Sequence, residues 1–193
     1  MRSFLQKSSS ICTSSLIAFI ILLFSQPASI ASDDFGDGPD DSFGFVFKKA
    51  WQEAELPLPD MPTDARLLPL KVFQMPAYKY YIDIESINVS AGDNVARYTI
   101  VIEPPSGLRN VFFEGIRCDK NKYKLYGSAL WGKPLTKIST SNWQGIIERG
   151  VGVYRHDLFK YFLCNKSIIN GEKKDIVQLL KYPPSNFIDE EEE

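Results

Sequence analysis

With 193 residues, 44% of them apolar and including 13 Phe, 9 Tyr and 3 Trp, the chain has the material for one ordered domain and is too apolar for wholesale disorder. Its net charge is −2, and removing the two cations of residues 1–31, which hold no acid, leaves the remainder near −4. An acidic domain has no general electrostatic pull toward nucleic acid, which excludes that class of partner.

Residues 1–31 read as a signal peptide. Arg2 and Lys7 form a positive amino-terminal region, residues 16–24 an apolar run, and Pro27 with Ser29-Ile30-Ala31 a small-residue site with cleavage before Ser32. Nine apolar residues fall short of the ~20 that cross a bilayer as a helix, so no stable transmembrane span is expected after processing. Whether the segment is cleaved or retained as an anchor stays open at this level. Cys12 precedes the apolar run and is badly placed for lipid attachment. Residues 32–42 (SDDFGDGPDDS) form an acidic flexible leader, residues 43–187 one α+β domain, and residues 188–193 an acidic tail.

Within the domain, Phe47, Ala50, Trp51 and Ala54 recur at helical spacing and predict a short amphipathic helix with Trp51 as core anchor, ended by Pro57, Pro59 and Pro62. Residues 78–89 alternate, with Tyr80, Ile82 and Ile84 on one face and Lys79, Asp83 and Glu85 on a solvated one. The turn Ala91-Gly92-Asp93-Asn94 leads to a second strand, with Ala96, Tyr98, Ile100 and Ile102 opposite Arg97, Thr99 and Val101. Pro104-Pro105-Ser106-Gly107 turns the chain into a strand over 110–118, and a fourth follows over 122–131. Connections this short suit antiparallel pairs, so the expectation is a four-stranded meander with helices packed on one face.

Beyond it, Ser141 or Asn142 would cap a helix carrying Trp143, Ile146 and Ile147. Leu158, Phe159, Phe162 and Leu163 mark a second, and Asn170 would cap a third carrying Ile176, Leu179 and Leu180, stopped by Pro183-Pro184. In an exported chain Cys118 and Cys164 read as a disulfide, provided that the helix before Cys164 ends near Leu163.

Chemistry is sparse. The single histidine, His156, has no nucleophile-elbow pattern to serve, and neither a zinc site nor a phosphate loop is spelled out, so no cofactor is expected. Glu114 shares strand parity with Phe112, Ile116 and Cys118, and a carboxylate on an apolar face must be paired or protonated; Arg97 or Arg117 could reach it, and Gly115 beside it marks a bulge or a close approach. Lys120, Lys122 and Lys124 alternate on one face, either as contacts for anionic lipid or glycan or as charges guarding an edge strand.

Several stretches carry a resemblance: Arg97-Tyr98-Thr99-Ile100-Val101, Pro105-Ser106-Gly107, Asn110-Val111 and Glu114-Gly115-Ile116-Arg117-Cys118, with Trp51 ahead of a proline-rich stretch and Trp143 behind. In these the chain resembles the cryptic neisserial protein-like family of bacterial envelope proteins. The resemblance implies a cell-envelope location, periplasmic in a two-membrane cell, and brings no known activity or catalytic residues. The expected function is therefore a non-enzymatic binding or scaffolding domain meeting an envelope protein, glycan or anionic lipid through an open sheet face or the basic strand. The alternative is a small hydrolase using Glu114 with Arg97 or Arg117 in a cleft.

Overall fold

The computed structural model describes residues 50–188 apart from residue 73. The signal peptide, the acidic leader, Phe47 and the tail beyond residue 188 lie outside the described residues.

Residues 50–63 follow no regular secondary structure and form a strap. The helix expected over Ala50, Trp51 and Ala54 is absent, because tertiary partners take its polar groups: the Ala54 amide donates to Asp93 Oδ2 at 2.8 Å and the Trp51 indole to the Asp93 carbonyl at 2.8 Å. A stripe of one or two turns, closed by prolines, gains too little to offset helix nucleation. Nor is Trp51 a core residue; it is 38% exposed, with the Arg117 guanidinium 3.6 Å from its ring centre.

A 3-10 turn, Asp64–Arg66, leads into β1 (Leu67–Leu70), β2 (Lys79–Ser90), β3 (Val95–Glu103), β4 (Asn110–Arg117) and β5 (Lys122–Leu130), each antiparallel to the one before. The last four are the expected meander. The sheet is wider than four strands, however. β1 adds one edge, and β6 (Thr136–Lys137) and β7 (Gln144–Gly145) both pair with β5, giving seven among the described residues. β7 stands where a helix around Trp143 was expected, since the open side of β5 offers Gln144 and Gly145 a ladder. β5 is accordingly not an unpaired edge for its lysines to guard.

The C-terminal part follows the expected order with altered ends. α1 (Tyr154–Asp157) runs into a π-helical turn, Leu158–Leu163, which stops where Cys164 becomes extended. Cys164 opens β8 (Cys164–Asn165), paired with β9 (Ile168–Ile169), and is bonded to Cys118 with the Cα atoms 5.6 Å apart. α2 (Lys173–Lys181) starts at Glu172, whose amide donates to Asp175 Oδ2; Asn170 bonds instead to the Leu163 and Phe162 carbonyls. α3 (Ser185–Ile188) begins after Pro183-Pro184.

The parity of the strands assigns the two faces. Tyr80, Ile82, Ile100, Tyr98 and Ile116 join Tyr154, Leu158, Phe162, Ile176 and Phe187 in the core, so the helices do cover one face. The other face is not open. Thr99, Val101, Val111 and Asp83 are all buried there, and the strap crosses it with Leu58 against Gly127. Asp83, expected on a solvated face, is fully buried and paired with Arg66 from the 3-10 turn. β3 is the central strand, and both of its alternating sets are buried.

Candidate functional site

Two polar clusters lie back to back across β3 and β4. On the helix face, Glu114 sits opposite Tyr98 in the ladder and is fully buried. Its carboxylate accepts from Tyr98 Oη at 3.2 Å, from Tyr154 Oη at 2.9 and 3.0 Å, and from Arg155 Nε at 2.9 Å, with a second bond from Arg155 Nη2. Burial, and then the Glu114 charge, push both tyrosine hydroxyls well above their ordinary range, so they remain donors. Burial alone would lower the Arg155 guanidinium, but Glu114 outweighs it and the shift is upward. Tyr123 closes the cluster, its ring centre 4.0 Å from Arg155 Cζ.

The expectation that Glu114 is paired holds, with a different partner. Arg97, from the neighbouring strand, points through the opposite face, and Arg117 bonds Asp119 at 2.8 and 2.9 Å. Strand parity alone separates Arg97 from Glu114, since Arg97 pairs with Gly115 in the ladder. Sequence reasoning gave Arg155 no role. A helix-start arginine 41 residues downstream sends no local signal toward Glu114. Both carboxylate oxygens are engaged by three side chains, Tyr98, Tyr154 and Arg155, and none of the carboxylate reaches the surface.

The strap face holds the second cluster. Arg97 is 1% exposed; its Nη2 donates to Asp93 Oδ2 at 2.6 Å and to the Ala54 carbonyl at 3.1 Å. Glu53, on the strap, accepts from Lys124 Nζ at 2.8 Å and from Tyr126 Oη at 2.7 Å, with Arg97 Nη2 at 3.9 Å. Tyr126 reaches it because of a bulge. Phe113 faces Gly127 and Glu114 faces Leu125, so Tyr126 is the extra residue, re-aimed onto the strap face. Gly115 accommodates it, as a Cβ there would stand 2.9 Å from the Tyr126 ring and from Val95. The close approach expected at Gly115 is this one.

Burial alone would raise the Glu53 carboxyl, but the hydrogen bonds from Lys124 and Tyr126 outweigh it and hold the group below its ordinary value. The same contest, won by the bonds from Arg97 and the Ala54 amide, lowers Asp93. Around this cluster opens a cleft of about 550 Å³, floored by Arg97, Phe113, Lys124 and Tyr126, walled by the strap and rimmed by Lys137. Sequence reasoning named Arg97 and Lys124 but missed Glu53, Asp93 and Tyr126. The turn signal at Asp93 was the one available pointer.

The three lysines do not act as a set. Lys124 is turned to Glu53, whereas Lys120 and Lys122 are exposed at the β4–β5 turn. His156 is half-buried, 3.4 Å from Asp157 and 3.8 Å from Glu148. Among the described residues no group of three or more His, Cys, Asp or Glu could hold a metal ion, and no helix is long and apolar enough to cross a membrane.

The model of the CNP1-like family matches residues 47–181, well over half of the chain. No curated protein and no solved structure matches.

Proposed function

The chain belongs to the CNP1-like family, and from that membership together with the geometry of the strap face we propose that it is an exported, non-enzymatic binding module of the bacterial cell envelope. One observation carries the binding half of this reading. The open concavity is lined by positioned cations, a tyrosine hydroxyl and carboxylates, while the one acid considered for hydrolysis, Glu114, is sealed on the far side of the sheet. Arg97 and Lys124 serve in the cleft, while Lys120 and Lys122, exposed at the β4–β5 turn, and Arg117 at the end of β4 offer further contacts for glycan or anionic headgroups. Export is supported by residues 16–24 and by the Cys118–Cys164 bridge, because such bonds persist in oxidising compartments.

The test is photocrosslinking in the intact cell. A benzophenone side chain replaces Lys137, exposed on the cleft rim, or Ile168, 63% exposed and outside the cleft. We expect an adduct from position 137 and none from 168, on a periplasmic product that begins at Ser32. Equal or absent labelling at the two positions contradicts the binding reading. A full-length cytoplasmic product with reduced thiols contradicts export.

A further inference from the structure

The charges of the cleft are sorted by element. Both acids of its lining, Glu53 and Glu55, belong to the strap, and its three cations, Arg97, Lys124 and Lys137, belong to the sheet. Asp93 neutralises Arg97 from behind; with the strap lifted, Lys124 and Lys137 are left without a counter-charge from it. Arg97 has capacity to spare even now. Its Nη1 is buried and has no hydrogen-bond partner among the described residues, an unfavourable state for a buried donor. The strap itself is lightly tied. Among the described residues, 50–62 make no backbone–backbone hydrogen bond, and the ties of its first turn run through Trp51, Glu53 and Ala54.

We propose that Arg97, Lys124 and Tyr126 form a receptor for a carboxylate group of an external ligand, and that the strap's own Glu53 occupies it until the ligand takes its place. Glu53 already shows the fit, with one oxygen on the ammonium and the other on the phenol. A ligand that displaces the strap uncovers Arg97, whose Nη1 supplies the acceptor-seeking donor that Glu53 does not satisfy. A guanidinium, an ammonium and a hydroxyl converging in one cleft favour a carboxylate over a neutral oxygen, since the anion adds the attraction of opposite charges to the charge-assisted hydrogen bonds. This rests on the reading of the cleft as a binding site and adds the class of group it takes.

The purified mature protein tests this by NMR, following the Arg97 side-chain Nε–H and the Trp51 indole. The probes are N-acetyl-L-glutamate and D-glucuronate, to separate an amino-acid from a sugar source, with N-acetyl-L-glutamine and D-glucose as uncharged counterparts. Glu53→Gln removes the internal competitor, and Glu53→Ala serves as a second variant should glutamine still hold the strap. A carboxylate probe should bind at least about tenfold tighter to the variants than to the wild type, as removal of a competing closed state requires, and Lys124→Met in the Glu53→Gln background should weaken it about tenfold. Whichever acid binds identifies the source. Equal affinity for wild type and variants, equal affinity for charged and uncharged probes, or no shift with any probe overturns the carboxylate receptor. None of these depends on the crosslink at position 137, whose absence overturns the broader reading instead.

Discussion

At the scale of single residues, the most consequential group is Glu114. It accepts from Tyr98, Tyr154 and Arg155 while fully buried, and Arg155 is itself largely covered. Truncating one partner of a buried ion pair leaves the other charge uncompensated, which costs ~3–5 kcal/mol. Glu114→Ala should therefore lose about that much in urea unfolding, because two hydroxyls and a guanidinium lose their acceptor together. Replacing the whole cluster by apolar side chains, Glu114→Leu and Arg155→Met together with Tyr98→Phe and Tyr154→Phe, should recover most of the loss, because no buried donor is then left without an acceptor. A single variant that unfolds like the wild type shows that the contacts contribute nothing to stability. Strand parity made the burial of Glu114 legible and gave no hint of its partner, since parity reports a face and says nothing about what a distant segment lays on it.

Among the elements, the strap decides what the sheet can do. It crosses one face of the sheet without a ladder of its own, and its polar attachments converge on Glu53 and Asp93. Both carboxyls are held below their ordinary values of 4.5 and 3.8. A carboxyl depressed in the folded state contributes stability that is complete above its ordinary value and is lost as pH falls through the depressed one. The strap should thus stay seated at neutral pH and release at pH below about 4, before the core opens. The Trp51 indole N–H, bonded to the Asp93 carbonyl, should lose its shifted NMR signal and its exchange protection there while β3 amides remain protected. Loss of both in one step would show that the strap is no separate unit. The strap is also where sequence and structure diverge most. The stripe of Ala50, Trp51 and Ala54 is compatible with a helix, but Asp93 competes for the same donors from 39 residues away. The four long strands were legible because alternation and turn residues are local properties. β1, four residues with Pro69 among them, and the two-residue β6 and β7 exist only because a neighbour's edge is there to pair with.

For the whole molecule, the bridge between Cys118 and Cys164 joins the two halves of the architecture. Cys118 follows the end of β4 and Cys164 follows the π-helical turn, so the bond fastens the helical layer to the sheet at the end of the strand that carries Glu114. The segment it closes spans 46 residues and holds β5, β6, β7 and α1. Constraining a loop of that size in the unfolded chain is worth ~4 kcal/mol on the chain-entropy estimate. A typical domain keeps a margin of ~5–15 kcal/mol, so the bond is a large part of it. The double variant Cys118→Ala with Cys164→Ala should melt roughly 10–20 °C lower than the oxidised protein. It should keep the sheet, because Cys118 and Cys164 are only two members of a core otherwise built by β2, β3 and β4 with Tyr154, Leu158 and Ile176. The helical layer should suffer first, with α1 and the π-helical turn exchanging amide hydrogens faster than β3. Uniform loss of protection across both layers would instead mean that the bond acts only through the unfolded chain. A selective loss would place the fastening of the helical layer, and with it the closure over Glu114, on the Cys118–Cys164 bond.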